Sequence, residues 1–149
     1  MSSSVAPLAR QGLVAAWLAQ MIGTMVLAGA VMIFVRISGP LSAGESDWKK
    51  YAMLGILVGI APALLYLPTF KSRLDADERA ARSRGAPDPA LRAALLKSLS
   101  LGGALCELPM AMGVVQLFFG GETRWFLGAT LVTIALRLSY RPFTREPRR

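Results

Sequence analysis

The chain has 149 residues, of which 54% are hydrophobic, and a formal net charge of +8. With a mean hydropathy of +0.46, it is too apolar for an ordinary soluble domain of this size. One Cys and no His exclude an intrachain disulfide, zinc or haem ligation by His, and Ser-His-Asp or Cys-His catalysis. The Lys and Arg residues flank long apolar runs, so the basic charge does not indicate nucleic-acid binding.

Three long apolar runs and one shorter run predict four transmembrane helices. We place the spans at about 11–36, 51–70, 93–120 and 124–140. The first three reach the roughly 20 residues that a helix needs to cross a bilayer. The first run is too long for the apolar core of a secretory signal, so we interpret it as a membrane helix. In the fourth run we expect the stem of Arg137 to lie along lipid with its head in the interface; a re-entrant or interfacial segment is the alternative.

The distribution of Lys and Arg predicts the orientation. Most of these residues fall in loop 71–92 or after residue 136, and few fall in the loops on the opposite side. Because positive residues concentrate on the cytoplasmic side, both termini and loop 71–92 are predicted to be cytoplasmic. The predicted fold class is therefore all-α, a single integral membrane domain that forms a four-helix bundle with both termini cytoplasmic. We expect a multi-pass protein of a bacterial inner (plasma) membrane.

Loop 71–92 is the only sizeable polar stretch of the sequence. Its acids precede its arginines, which suits the dipole of a short helix on the membrane surface. Asp88 followed by Pro89 predicts the N-cap and first residue of the third helix. The arginines of this loop either contact anionic lipid head groups or an acidic partner, or serve only to fix the topology. This basic patch consists of Arg79, Arg82, Arg84 and Arg92.

Rows of small residues spaced four apart predict where the helices pack in lipid. The predicted packing residues are Ala15, Ala19, Gly23, Gly55, Gly59, Ala63, Gly103 and Ala111. A neighbouring face of the first span carries Ala16, Gln20, Thr24 and Ala28. Pro62 and Pro109 lie inside their spans, where each removes one backbone hydrogen bond and predicts a kink.

Glu107 is the acid that stands inside an apolar run, where an ionised carboxylate costs at least a few kcal/mol. Three arrangements reduce that cost: Glu107 takes up a proton, pairs with Arg137, or hydrogen-bonds to Gln20 and Thr24. The functional interpretation is a proton- or cation-binding carboxylate assisted by Gln20 and Thr24. The structural interpretation is a residue that holds the first and third helices together. The structural interpretation is favoured, because a conducting path usually needs a relay of such groups.

Two stretches have local resemblances to known families. GALCELPMAMGVVQLFF resembles the carboxylate helix of the proteolipid (c) subunit of rotary ATPases, over about one helix. This resemblance implies that Glu107 is an ion-carrying carboxylate. LAQMIGTMVL is similar to the first helix of small multidrug-resistance transporters, in which the position of Gln20 is normally Glu. The second resemblance implies a transporter-like helix that lacks its cation- and proton-binding acid.

The sequence favours a non-enzymatic function. No paired catalytic groups or metal ligands appear, so we expect no enzyme activity, no cofactor and no metal. The first hypothesis is an accessory or assembly subunit that packs against a larger membrane complex through a small-residue face and the basic patch. The alternative is translocation of a proton or cation through Glu107. The expected partners are the lipid bilayer, anionic head groups and a membrane protein or a second copy of the chain, and no nucleic acid.

Overall fold

The computed structural model describes residues 5–39, 47–84, 88–119 and 121–142, with side chains from Gln11 onward. Within these ranges the chain is α-helical and contains no strand. The helices are α1 (Val5–Ser38), α2 (Trp48–Val58), α3 (Ile60–Arg84), α4 (Pro89–Cys106), α5 (Leu108–Phe118) and α6 (Thr123–Ser139). The predictions that concern the two chain ends, residues 85–87 of loop 71–92 and residue 120 of the third span lie outside the described residues.

The six helices form four longer helical segments, because single residues separate α2 from α3 and α4 from α5. Three of these segments are long and apolar enough to cross a membrane: Gln11–Ser38, Trp48–Arg84 and Pro89–Phe118. Their length and composition identify a membrane protein. The fourth segment, α6, has 17 residues and carries Arg137 near its end.

The two interruptions of the helices each lie just before a proline. Gly59 separates α2 from α3 three residues ahead of Pro62, and Glu107 separates α4 from α5 two residues ahead of Pro109. A proline ring clashes with the carbonyl four residues back and offers no N–H to it, so the preceding turn is disturbed. At the second interruption the turn tightens, and the N–H of Glu107 donates to the carbonyl of Ala104 at 3.1 Å. The α4–α5 interruption therefore places a carboxylate at a bend.

The segment predicted as loop 71–92 differs from that expectation over most of its described length. Helix α3 continues without a break through Phe70 and the charged stretch to Arg84, so 71–84 does not form a separate surface helix. No Gly or Pro interrupts residues 69–84, and the acids precede the arginines as the helix dipole favours. The predicted N-cap of α4 is confirmed: the Asp88 carboxylate accepts from the backbone N–H of Ala90 at 2.9 Å.

The helices pack most closely as the pairs α2 with α5, α3 with α4, and α5 with α6, whereas α1 makes fewer contacts with the rest. The larger apolar core joins α1, α3, α4 and α6. It consists of Leu13, Trp17, Ala63, Phe70, Leu74, Leu95, Leu99, Cys106, Leu136 and Tyr140. A smaller core of Met110, Leu117 and Phe126 joins α5 to α6. The space between α1, the α4–α5 bend and α6 holds the polar residues described next.

Candidate functional site

Glu107 and Arg137 form an ion pair at the α4–α5 bend. An Nη2 atom of Arg137 on α6 donates to Oε1 of Glu107 at 2.5 Å. The Arg137 side chain is 4% exposed and that of Glu107 is 41% exposed. Of the three arrangements considered from the sequence for Glu107, pairing with Arg137 is present, together with the Thr24 part of the hydrogen-bonded arrangement. The expectation that Arg137 extends along lipid to the interface is wrong, because the carboxylate of Glu107 draws the guanidinium inward.

Helix α1 supplies two further groups to this ion pair. The hydroxyl of Thr24 donates to Oε1 of Glu107 at 3.4 Å and also to the carbonyl of Gln20 at 3.0 Å. The amide oxygen of Gln20 accepts from Nη1 of Arg137 at 3.0 Å. Gln20 therefore satisfies the cation of the pair, whereas the sequence suggested that it bonds to the acid. We call Gln20, Thr24, Glu107 and Arg137 the polar clasp, since it links α1, the α4–α5 bend and α6.

The clasp is supported by close packing around it. The indole N–H of Trp17 donates to the backbone carbonyl of Arg137 at 3.0 Å, which ties α1 to the end of α6. A Cβ at Gly103 would meet the side-chain amide of Gln20, so the glycine leaves room for that amide in the clasp. Among the described residues, Nε of Arg137 and the hydroxyl of Thr133 are buried without a hydrogen-bond partner. The clasp thus supplies hydrogen-bond acceptors for two of the three guanidinium nitrogens of Arg137.

The other predicted packing residues divide into two groups. On α2 and α3, Gly55 lies against Met112, Gly59 approaches the backbone of Pro109, and Ala63 is fully buried. The predicted packing row on α1, in contrast, is exposed. The exposed row on α1 consists of Ala15, Ala19 and Gly23, and Ala111 on α5 is exposed as well.

The inward face of α1 is the neighbouring one, which carries Gln20 and Thr24. Thr24 is 1% exposed, whereas Gly23 has no atom within 4 Å of the position that a Cβ would take. This face turns inward because hydroxyl and amide groups in a membrane span are stabilised by hydrogen-bond partners on other helices. The exposed row Ala15, Ala19 and Gly23 is called the α1 ridge below.

The predicted basic patch is largely neutralised by neighbouring acids. Arg82 pairs with Glu78 at 3.5 Å, Arg84 with Asp88 at 2.9 Å and Arg92 with Asp77 at 3.8 Å. Arg79 is exposed. The first two arginines are exposed, and pairs of that kind contribute about 0.2–1 kcal/mol, whereas Arg92 and Asp77 form a largely buried pair. The three pairs together leave less free charge than the sequence suggested.

The structure also brings together polar residues that the sequence reasoning missed. Tyr66 donates to the hydroxyl of Ser98 at 3.3 Å, and a guanidinium N–H of Arg73 donates to the same oxygen. These contacts link α3 to α4 nine residues before Glu107. The sequence contained a signal for this contact, because Tyr66 and Arg73 are seven residues apart and therefore lie on one face of a helix. Similarly, Thr133 and Arg137 are four apart and mark the inward face of α6.

The described residues contain no group of three His, Cys, Asp or Glu side chains that could hold a metal ion. Comparisons of the chain with family models, with curated proteins and with solved structures found no match. Within the described residues the clasp holds one acid with an unbonded oxygen, one paired cation, one amide and one hydroxyl.

Proposed function

We propose that this protein is a four-helix membrane bundle with both termini in the cytoplasm of a bacterial cell, and that it serves as an accessory or assembly subunit of a larger inner-membrane complex. Charge supports this orientation, since Lys71, Arg73 and Arg141 lie at one end of the helices, opposite the end with Lys49 and Lys50. The α6 segment completes the fourth crossing in this proposal, with Arg137 neutralised by Glu107. No enzyme chemistry is proposed.

The observation that carries the proposal is the contrast between the glycines of α1 and those of the two segments Trp48–Arg84 and Pro89–Phe118. Gly59 and Gly113 meet neighbouring helices at distances that leave no room for a Cβ, whereas Gly12, Gly23 and Gly29 have nothing within 4 Å of it. Small residues in a membrane helix allow another helix to approach closely. The α1 ridge thus has the character of a packing surface but packs against no described part of this chain.

The clasp supplies a second argument for a partner beside α1. Among the described residues nothing bonds to Oε2 of Glu107, and that side chain is 41% exposed in an otherwise apolar region. An unsatisfied carboxylate oxygen in hydrocarbon is unfavourable unless a neighbouring protein donates to it. Thr24, which contacts Glu107, directly follows Gly23 of the α1 ridge. In the proposed complex a partner beside α1 supplies the donor for this oxygen.

The test compares two glycine substitutions that are equivalent in chemistry but differ in place. Gly23 on the α1 ridge and Gly128 on α6 both have open space where a Cβ would stand. The tagged protein is purified from its native membrane in mild detergent as wild type, Gly23→Leu and Gly128→Leu, and stoichiometric partners are quantified. We expect Gly23→Leu to lose its partner while Gly128→Leu keeps it.

Two results would count against a partner on the α1 ridge. Wild-type protein that is purified alone, with no stoichiometric partner after cross-linking in the native membrane, overturns the accessory role. Equal retention of the partner by both variants would move the contact away from the α1 ridge. Circular dichroism of the two variants controls for unfolding, and a Cβ at either position has no atom of the described chain within 4 Å.

Translocation of a proton or cation through Glu107 is the second candidate, favoured by the same free oxygen. The test uses proteoliposomes that contain a pH-sensitive dye and an imposed membrane potential, with wild type, Glu107→Gln and Glu122→Gln. Glu122 is exposed and outside the clasp, so it controls for the loss of one negative charge. Proton flux abolished by Glu107→Gln alone would favour translocation. Wild-type flux equal to that of empty liposomes would eliminate proton translocation.

A further inference from the structure

A cleft of about 470 Å³ opens between α3 and α6, at the end of these helices where the apolar sequence gives way to charges. Its apolar wall includes Leu67 and Leu138, and its polar wall includes Lys71, Asp75 and Arg141. The volume is within the range of roughly 300–1,000 Å³ that is typical of small-molecule sites. Phe70 is the last apolar residue of its run and Lys71 the first charged one, so the cleft lies at head-group depth when α3 spans a bilayer.

The two cations of the cleft differ from the arginines of the basic patch. Within the described chain Lys71 and Arg141 carry no ion pair, although three of the four patch arginines do. Asp75 lines the same cleft, and within the described chain it forms no ion pair or hydrogen bond with either cation. The three ionisable groups together give the cleft a net positive charge. An anion with apolar substituents would complement both walls at once.

We infer that this cleft binds the head group of an anionic glycerophospholipid, with the phosphate against Lys71 and Arg141 and the acyl chains along Leu67 and Leu138. A head group that carries hydroxyls, such as glycerol, also supplies donors for the carboxylate of Asp75. Basic pockets between transmembrane helices are a recurrent way to hold acidic lipids. The site rests on the four-span topology proposed above, in which α3 and α6 both lie in the membrane, and it is independent of the accessory role and of Glu107.

The experiment measures lipid binding to the full chain in mild detergent by native mass spectrometry. The probes are phosphatidylglycerol, phosphatidylcholine and phosphatidylethanolamine with the same acyl chains, and inorganic phosphate. We expect wild type to prefer phosphatidylglycerol. The double variant Lys71→Gln/Arg141→Gln should bind it roughly 30-fold more weakly, from the attraction typical of two basic groups near a lipid surface.

Two further variants separate this site from general attraction to positive charge. Arg79→Gln/Lys97→Gln removes the same charge from exposed positions that do not line the cleft, and binding should change less than twofold. Leu138→Trp leaves the charge unchanged but fills the apolar side of the cleft, so it should weaken binding of phosphatidylglycerol. Leu138 is 47% exposed, which leaves room for the larger side chain without disturbing the core.

Four results would overturn the inference. These are equal binding of phosphatidylglycerol and phosphatidylcholine by wild type, tighter binding of phosphatidylethanolamine, an equal loss in the two double variants, or no effect of Leu138→Trp. Binding of inorganic phosphate as tight as that of phosphatidylglycerol would assign the cleft to a free anion instead of a lipid.

Discussion

Helix α1 and the α4–α5 segment are both apolar enough to span a membrane, yet they are used very differently. In the most apolar stretch of α1 only 6% of the residues are buried, against 44% in that of α4–α5. Each segment carries glycines, but those of α4–α5 meet other helices and those of α1 do not. The comparison teaches that apolar character and small residues make packing possible in lipid, whereas polar side chains select the face that turns inward. On α1 that selection is made by Gln20 and Thr24.

The largest expected effect comes from breaking the ion pair that fixes α1 against the α4–α5 bend. Glu107→Gln leaves the guanidinium of Arg137 buried without a counter-charge, which for a buried pair costs about 3–5 kcal/mol. The exposure of Glu107 places the loss at the lower end of that range. The measurement is the free energy of unfolding in detergent, followed by tryptophan fluorescence.

The double variant Glu107→Gln/Arg137→Gln is the matched control for this prediction. It removes both charges and leaves two amides that can bond to one another, so most of the lost stability should return. If the double variant is as unstable as the sum of the two single variants, Glu107 and Arg137 are not coupled. The clasp would then have no part in selecting the inward face of α1.

A smaller effect is expected where two backbones meet, and it contrasts the packed glycines with those of α1. A Cβ at Gly59 would stand 3.1 Å from the backbone nitrogen of Pro109 and 3.2 Å from the backbone carbon of Leu108. Gly59→Leu should therefore destabilise the isolated protein by about 2 kcal/mol, within the usual range for overpacking, because backbone cannot move aside as a side chain does. Gly23→Leu should leave its thermal midpoint unchanged. Equal midpoints for the two variants would contradict the described packing.

The smallest effect tests the contact between Gln20 on α1 and Gly103 on α4. Gly103→Ala places a methyl group against the amide of Gln20, which is the flexible end of a side chain and can shift. Loss of the hydrogen bond from Arg137 to Gln20 should then cost about 1 kcal/mol. In a Gln20→Ala background, Gly103→Ala should cause no further loss. A full additional loss there would mean that Gly103 is constrained by something other than Gln20.

The helical architecture could be predicted from the sequence, and so could the beginning of α4 at Asp88 and Pro89. Apolar runs of sufficient length leave few structural choices in a membrane. The inward face of α1 could not be predicted in the same way, because both candidate faces carry small residues at equal spacing. Lipid does not discriminate between them as water would, and the decision depends on polar contacts with residues more than 80 positions away.

The residues of the candidate site could be predicted from the sequence, but which of them bond to one another could not. Glu107, Gln20 and Thr24 were identified because each is polar in an apolar run, and Arg137 was considered both as a partner and as an interface residue. The choice between these depends on the rotation of α6 about its axis, which its mixed sequence leaves open. The neutralisation of the basic patch was missed because helix α3 was expected to end near residue 70. Its continuation positions the acids Asp77 and Glu78 beside the arginines.

The unbroken run of α3 also has a mechanical consequence. From Phe70 to Arg84 it extends about 21 Å at the usual rise per residue, and α4 packs along it through Leu74 and Leu95. This polar extension is a continuous helix that is held in place by α4. Any tilt or rotation of α3 within the lipid therefore also moves Arg84.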